Sequence, residues 1–129
     1  MLKRHNPATI APAFSDYSLG IEVPAGPRWL MVSGQVGVLP DGTLVEGAEA
    51  QIETAWSNIL AVLESAAMGP GDLVKVMAYL TRAEDTGTYR AVRDRMLEGA
   101  QPASTLVVVT ALASPGWLVE IEAVAAASP

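Results

Sequence analysis

Two glutamates near the C-terminal end are the residues best suited to proton-transfer chemistry. Glu120 and Glu122 alternate with apolar residues in the segment 117–125, a pattern typical of a β-strand. Residues two apart on a strand share one face, so both carboxylates are predicted to point the same way. A carboxylate in a partly dry cleft has a raised pKa, which suits a general acid or base. Two solvated or salt-bridged carboxylates would produce the same pattern, so the spacing leaves both roles open.

Hydroxyl-bearing residues form a second group of candidates. Ser33 and Gln35 flank Gly34 just past a predicted strand end, where the glycine permits a close approach to the backbone. Tyr17 begins another predicted strand, and its hydroxyl could face a cleft or solvent. By itself the Ser-Gly-Gln tripeptide is typical of a plain turn.

Ser104 and Thr105 follow Pro102, whose restricted φ angle suits the start of a strand. A nucleophilic serine is not indicated, because His5 is the single histidine and no Gly-x-Ser-x-Gly segment occurs. Phosphate-loop and dinucleotide-binding fingerprints are also absent from the sequence. Neither hydroxyl is therefore predicted to attack a substrate.

Composition narrows the class of protein. The 129 residues suit one domain spanning 1–129, and a formal net charge of −6 argues against nucleic acid or an anionic membrane surface as a partner. The absence of cysteine excludes disulfides, a thiol nucleophile and thiolate metal ligands. With one histidine, a metal site would depend on carboxylates, so no metal is predicted. No apolar run reaches the roughly 20 residues of a membrane helix and we identify no signal peptide, so a cytoplasmic location is expected.

The hydrophobic periodicity predicts seven elements in the order β-β-α-β-α-β-β. The segments 48–68 and 86–98 repeat with the helical period, and a glycine follows each of them. Strands separated by helices imply crossover connections and parallel pairing. The predicted strands are 17–23, 28–32, 73–81, 105–112 and 117–125.

The predicted strand 105–112 carries apolar residues on both faces, a pattern typical of strands that are buried on both sides. Two helices can cover only one face of a sheet, and a chain of this length has no further element for the other face. Another copy of the chain is the simplest cover, so the residues alone predict an oligomer.

Three segments together resemble the YjgF/Rid family of small trimeric proteins. They are VSGQV at 32–36, QPASTL at 101–106 and WLVEIEA at 117–123. The resemblance runs from about Tyr17 to the C-terminus. It implies a single α+β domain related to the chorismate-mutase type, with a mixed sheet, two helices on one face, and a homotrimer whose clefts lie between subunits.

The resemblance also implies roles for individual residues. Glu120 matches a family glutamate that helps to position the attacking water in deaminating members, whereas Glu122 is expected to form a structural ion pair. Ser33 matches a residue of the segment that lines the cleft, and Tyr17 matches a tyrosine at the cleft mouth.

Three positions depart from the family pattern within one predicted pocket. Ser104 stands where deaminating members carry an arginine that grips the substrate carboxylate, Leu106 where a cysteine is usual, and Thr86 where an asparagine is frequent. A serine offers one uncharged donor in place of two parallel charge-assisted hydrogen bonds. Either the ligand lacks that carboxylate or another cation binds it.

Several cations could replace the missing arginine. Arg4, His5 and Arg28 lie in segments that could approach a cleft or a neighbouring subunit. The arginines of the second predicted helix are instead expected on a solvated face, with Arg90 paired to Asp94 four residues later. That helix carries Arg90, Arg93 and Arg95.

The predicted function is hydrolysis of a small enamine, imine or related labile metabolite in a cleft between subunits, without a cofactor. Glu120 would orient water, the backbone near Ser104 and Thr105 would hold an oxygen, and Ser33 and Tyr17 would make further contacts. Because the arginine is missing, the standard deamination of 2-imino acids is not expected. The alternative is a non-catalytic module that binds or senses a small metabolite in the same clefts. The residues leave open whether the chain is an enzyme; the expected partners are further copies of itself and a small-molecule ligand.

Overall fold

The computed structural model describes residues 1–129. The helices are α1 (Ala48–Ser65) and α2 (Thr86–Leu97). Short 3-10 turns at Pro70–Asp72 and Ala83–Asp85 precede β4 and α2. The strands are β1 (Lys3–His5), β2 (Gly20–Glu22), β3 (Arg28–Gln35), β4 (Leu73–Leu80), β5 (Ala103–Val108) and β6 (Val119–Ala127).

Four of the strands form a mixed sheet in the order β3-β6-β4-β5. β4 and β5 are parallel, whereas β6 runs antiparallel to both β3 and β4. The predicted α+β fold with two helices and a mixed sheet is confirmed. The parallel pairing predicted across each helix holds for β4 and β5 only, because the C-terminal strand inserts between β3 and β4.

The core lies between the two helices and one face of this sheet. α1 packs on β6, on β3 and on α2. Alternate residues of the two central strands point toward the helices and are buried, as burial of apolar side chains against a helix layer requires. They are Val76, Ala78 and Leu80 of β4 and their β6 partners Ala123, Ile121 and Val119.

The opposite face of the sheet, here called the open face, has no helix over it. Two large apolar side chains of β3 on this face, Trp29 and Met31, are 52% and 66% exposed. Residues of this size are usually well buried. The central strands add Met77 and four charged or polar residues to the open face, namely Lys75 and Tyr79 of β4 and Glu120 and Glu122 of β6.

The N-terminal region differs from the prediction. The strand predicted at 17–23 is only Gly20–Glu22, and it pairs with β1 in a separate two-stranded sheet. The periodicity does not predict β1, because its three residues are polar and exposed. Tyr17 lies outside both strands, and Ser18 forms an isolated bridge to Ala103 at the start of β5.

β5 departs most from expectation because it is the edge strand of the sheet. The segment 105–112 is predicted to be buried on both faces, but the strand is Ala103–Val108, and Val107 and Val108 are 38% and 49% exposed. In the single chain β5 has a neighbouring strand on one side only, and burial of both faces, which is expected with another copy of the chain as cover, stays a prediction.

Other boundaries shift by a few residues. The strand predicted at 28–32 continues to Gln35 through a bulge, so Ser33 lies within β3 and not past a strand end. The helix predicted to reach 68 ends at Ser65, and the last strand begins at Val119. Neither helix has the length and apolar character needed to cross a membrane.

Candidate functional site

A pocket at the edge of the sheet, here called the edge pocket, brings several predicted site residues together. It has a volume of about 240 Å³ and lies between β5, α2 and the segment before β2. No carboxylate lines it, although the chain has a formal net charge of −6. Its lining combines hydroxyls, two guanidinium groups and apolar side chains: Phe14, Ser15, Tyr17, Arg90, Arg93, Ser104, Thr105 and Leu106.

β5 forms one wall of the edge pocket. Ser104 pairs with Val76 and Leu106 pairs with Ala78, and both β4 partners are buried against the helices. Residues paired across a sheet point to the same side, so Ser104 and Leu106 point toward the helix layer. At an edge strand this side is incompletely covered, which leaves room for a cavity beside α2.

The segment before β2 forms a second wall and is fastened to the start of β5. The Ser18 N–H donates to the carbonyl of Pro102 at 3.1 Å, and the Ser18 hydroxyl donates to the carbonyl of Gln101. The Tyr17 hydroxyl accepts a hydrogen bond from the N–H of Phe14 at 3.3 Å. These bonds hold Tyr17 beside Ser104 in the pocket lining.

Arg93 is a buried cation in the helix wall of the pocket. Only 3% of the residue is exposed. Its Nε donates to Asp94 Oδ1 at 3.0 Å and its second guanidinium nitrogen donates to Ser15 Oγ at 3.1 Å. The guanidinium carbon also lies 5.9 Å from the Tyr89 ring centroid, within cation–π range. A buried charge is tolerated when it is paired and hydrogen-bonded in this way.

The solvated position predicted for this helix face is wrong for Arg93, and the predicted Arg90–Asp94 pair does not form. Asp94 pairs with Arg93 instead, at 2.9 Å. The reason is helical geometry: Arg93 lies one turn after Tyr89 and one turn before Leu97, both of which are buried. That spacing is the sequence signal that could have identified Arg93 as a buried residue.

Arg90 lies three residues before Arg93, and residues at this spacing are neighbours on a helix surface. It is half-buried and lines the edge pocket, but its guanidinium makes no hydrogen bond and no ion pair within the chain. The pocket therefore combines one neutralised cation, Arg93, with one uncompensated cation.

The two glutamates of β6 share the open face, as the alternation predicts. Glu122 Oε1 accepts a hydrogen bond from the Tyr79 hydroxyl at 2.5 Å. This hydrogen bond raises the pKa of Tyr79 above its ordinary value, because the neutral phenol is the donor. The structural ion pair expected for Glu122 does not form within the chain, and its partner is the neutral Tyr79 on the adjacent strand.

Glu120 packs against the backbone of β3 at Gly34. A Cβ built on Gly34 would lie 2.8 Å from Cδ of Glu120, so the absence of a side chain makes room for the carboxylate. The glycine therefore permits a close approach, and the approaching group is Glu120 of the same chain; the segment itself is part of β3 and not the plain turn that the tripeptide suggests. Ser33 is exposed next to it, and its carbonyl accepts a hydrogen bond from Gln35 Nε2 at 3.2 Å.

One chain brings only part of the predicted site together. Tyr17, Ser104 and Thr105 line the edge pocket, whereas Glu120 and Ser33 do not. Ser104 points to the helix side of the sheet and Glu120 to the open face. Thr105 pairs with a residue of the open face, and its Oγ1 accepts a hydrogen bond from the Lys75 ammonium at 2.7 Å.

None of the three cations suggested as replacements lines the edge pocket. Arg4 donates to a glutamine side chain at 2.9 Å, and His5 lies 2.6 Å from a glutamate of β2. Arg28 donates to two backbone carbonyls, both at 3.1 Å. The cations that do reach the pocket come from α2, where the sequence predicts a solvated surface.

Comparison with known proteins identifies the family. The family model described as Endoribonuclease L-PSP matches residues 8–127. The chain belongs to the YjgF/Rid family. Among solved Rid structures it resembles YyfB of Yersinia pestis at 33% identity and a TM-score of 0.87, with 96% of this chain and 97% of that chain covered. It also resembles E. coli TdcF, solved with bound serine, at 27% identity and a TM-score of 0.74, with 98% and 100% covered.

Curated relatives agree with this placement. The 2-iminobutanoate/2-iminopropanoate deaminase of Salmonella typhimurium is 30% identical over 123 residues, which cover 92% of this chain and 90% of that protein. A RutC family protein of Aquifex aeolicus is 39% identical over 66 residues, half of each chain. The Rid family predicted from VSGQV, QPASTL and WLVEIEA is therefore confirmed.

Proposed function

We propose that the chain hydrolyses a small enamine, imine or related labile metabolite bound in the edge pocket. The edge pocket itself carries the proposal, because it sets Tyr17 and Ser104 beside the two arginines of α2 in about 240 Å³. A cavity of this size suits a metabolite of a few carbon atoms. Two relatives support the choice of ligand: one is named a 2-iminobutanoate/2-iminopropanoate deaminase, and another was solved with bound serine.

We propose that neighbouring copies complete the site in a homotrimer. Glu120 lies on the open face, where Trp29 and Met31 are exposed. Another copy packed over this face would bury that apolar surface. Each Å² of apolar surface removed from water would stabilise the assembly by about 25 cal/mol. In such an assembly, Glu120 of one copy would approach the edge pocket of its neighbour. The family resemblance favours three copies over two.

In the proposed reaction, water adds across a C=N bond. The water oxygen bonds to the carbon, and Glu120 accepts a proton from the water and passes it to the nitrogen. The resulting carbinolamine then loses its C–N bond as the hydroxyl proton moves to the departing nitrogen. Ammonia leaves and the carbon keeps the oxygen as a carbonyl, so atoms and charge balance without an oxidant or cofactor.

The hydroxyls of the pocket would orient the substrate. Tyr17 and Ser104 supply these hydroxyls, whereas the Thr105 side chain lies on the open face, where its Oγ1 accepts a hydrogen bond from Lys75. β5 is an edge strand, so backbone N–H groups near Ser104 that do not pair with β4 can donate a hydrogen bond to a ligand oxygen. Tyr17 would contact the ligand from the opposite wall, and Ser33 from the neighbouring copy.

The alternative is a non-catalytic module that binds a small metabolite in the same pocket. It is favoured by one observation, the absence of Glu120 from the edge pocket of its own chain. Cleavage of RNA, which the description of the family model suggests, is not proposed, because the net charge of −6 opposes binding to a polyanion.

The test is clearance of imines by the purified protein. An amino acid oxidase generates a 2-imino acid continuously. Semicarbazide competes with the protein for this imine, and release of the 2-oxo acid is measured in its presence. Glu120→Gln is expected to slow clearance by about 100-fold, the usual contribution of a general base. Glu122→Gln is the matched control, since it changes the same charge on the same face of the same strand.

The outcomes separate the two functions. A wild-type chain that clears imines and depends on Glu120 supports the hydrolase. Enamines and imines without a 2-carboxylate belong in the same panel, because the serine at position 104 is expected to make standard 2-imino acids slow substrates. A wild-type chain that binds small metabolites but clears no member of the panel would leave the binding module as the function.

A further inference from the structure

Arg90 has no partner within the chain, and this distinguishes it from every other lysine and arginine side chain. The remaining arginines each donate a hydrogen bond to a side chain or to a backbone carbonyl. Both lysines are also engaged, with Glu22 and with Thr105. The engaged arginines are Arg4, Arg28, Arg82, Arg93 and Arg95.

The position of this free cation is as informative as its lack of a partner. Arg90 lines the edge pocket together with Arg93, and no aspartate or glutamate lines it. Two cations three residues apart on a helix repel each other. Arg93 is neutralised by Asp94 at 2.9 Å, so the uncompensated charge in the cavity belongs to Arg90.

We infer that Arg90 binds a carboxylate of the ligand and so determines which metabolites the edge pocket accepts. This inference rests on the proposed ligand pocket, and it assigns the pocket a small monocarboxylate. The guanidinium fork matches a carboxylate with two parallel hydrogen bonds, and a half-buried setting strengthens both. A ligand carboxylate would supply the counter-ion that the chain does not provide.

The fold determines the side from which Arg90 reaches a ligand in the edge pocket. Ser104 points from β5 toward the helix layer, and its small side chain leaves the space between β5 and α2 open. Arg90 enters this space from α2, that is, from the opposite wall. A carboxylate bound there lies nearer the helix than one bound by a residue on β5, so the pocket is expected to prefer acids that reach across it.

The experiment measures binding, not turnover. Titration calorimetry with 2-oxobutanoate is compared for the wild type, Arg90→Gln and Arg95→Gln. Both variants remove one positive charge from the same helix, but Arg95 lies outside the edge pocket and pairs with Glu53 at 2.8 Å. The neutral amide of the same 2-oxo acid serves as a ligand without the carboxylate.

Arg90→Gln is expected to weaken binding of 2-oxobutanoate by about 10–100-fold, the usual contribution of a charged hydrogen-bonding group. Arg95→Gln is expected to stay within about twofold of the wild type, and the amide is expected to bind equally weakly to all three proteins. Equal losses in both variants, or an unchanged affinity in Arg90→Gln, would overturn the assignment.

The proposed hydrolase and this inference fail separately. Carboxylate binding that depends on Arg90 without any imine clearance would retain the inference and reject the hydrolase. Clearance of a 2-imino acid by Arg90→Gln at the wild-type rate and affinity would retain the hydrolase and reject the inference.

Discussion

Gly34 offers a way to move the Glu120 carboxylate without changing its chemistry. A Cβ at this position would lie 2.8 Å from Cδ and 3.1 Å from Cγ of Glu120. Non-bonded carbon atoms prefer roughly 3.5–4.0 Å, so the glutamate side chain must rotate away. Gly34 does not have a positive φ angle, so an alanine is compatible with the conformation of β3 at this position. Gly34→Ala is therefore expected to displace the carboxylate and leave the strand intact.

Gly34→Ala is informative because its expected effect on stability is small and its expected effect on the rate of imine clearance is large. Moving the end of a flexible side chain costs little, within about 1 kcal/mol of the free energy of unfolding. For a chain of this size that corresponds to roughly 2–8 °C in Tm. A displacement of about 1 Å in a positioned catalytic group can cost on the order of 100-fold in rate. Gly34→Ala is expected to lose about 10–100-fold in imine clearance.

The assay compares Gly34→Ala, Glu120→Gln and a matched control. Gly71→Ala makes the same substitution at a glycine whose Cβ would meet nothing within 4 Å. Tm is measured at one fixed protein concentration, because an oligomer melts in a concentration-dependent way. Wild-type clearance by Gly34→Ala, combined with a large loss in Glu120→Gln, would refute the positional argument. A collapse of Tm would show that the β3 bulge cannot admit a side chain.

Three further predictions concern the pocket, the core and the assembly. Ser104→Arg adds a third guanidinium to the edge pocket, so affinity for 2-oxobutanoate is expected to rise about tenfold. Tm at low salt should fall by a few degrees and recover with ligand, and an unchanged affinity would place the new side chain outside the pocket. The Tyr89 hydroxyl is buried without a partner, so Tyr89→Phe is expected to leave the unfolding free energy equal or higher by up to about 1 kcal/mol. A loss of more than about 1 kcal/mol on urea titration would reveal a bonding partner for that hydroxyl. Sedimentation at micromolar concentration is expected to report a trimer and Trp29→Glu to dissociate it, whereas a monomeric wild type would contradict the assembly.

Local patterns predicted most of the elements because they depend on neighbouring residues. The helical period of α1 places Ile52, Trp56, Ile59 and Leu63 on one stripe, and all four are buried. The alternation in β6 places Glu120 and Glu122 on one face, as the structure confirms. β1 has no such pattern, since a short exposed strand buries no side chain on either face.

The candidate site depended more on tertiary structure. Tyr17, Ser104 and Thr105 were named from the sequence and lie in one pocket, but the two arginines beside them were assigned to a solvated face. A charged residue on an otherwise apolar stripe is buried only if neighbouring groups supply its counter-ion and acceptors, and for Arg93 the counter-ion is the adjacent Asp94. The partners of Arg93 include Ser15, 78 residues earlier in the chain, and no local pattern reports that contact.

The sequence by itself determined the Rid family, the α+β class, the extent of most elements, and the shared face of the two β6 glutamates. Only the tertiary structure decided that β6 inserts between β3 and β4, which leaves β5 at the edge. It also decided that α2, rather than the N-terminal region, supplies the pocket cations. The physical reason is that periodicity reports which side of an element is buried. The element that covers that side is selected by long-range strand pairing and packing, which couple residues far apart in the chain.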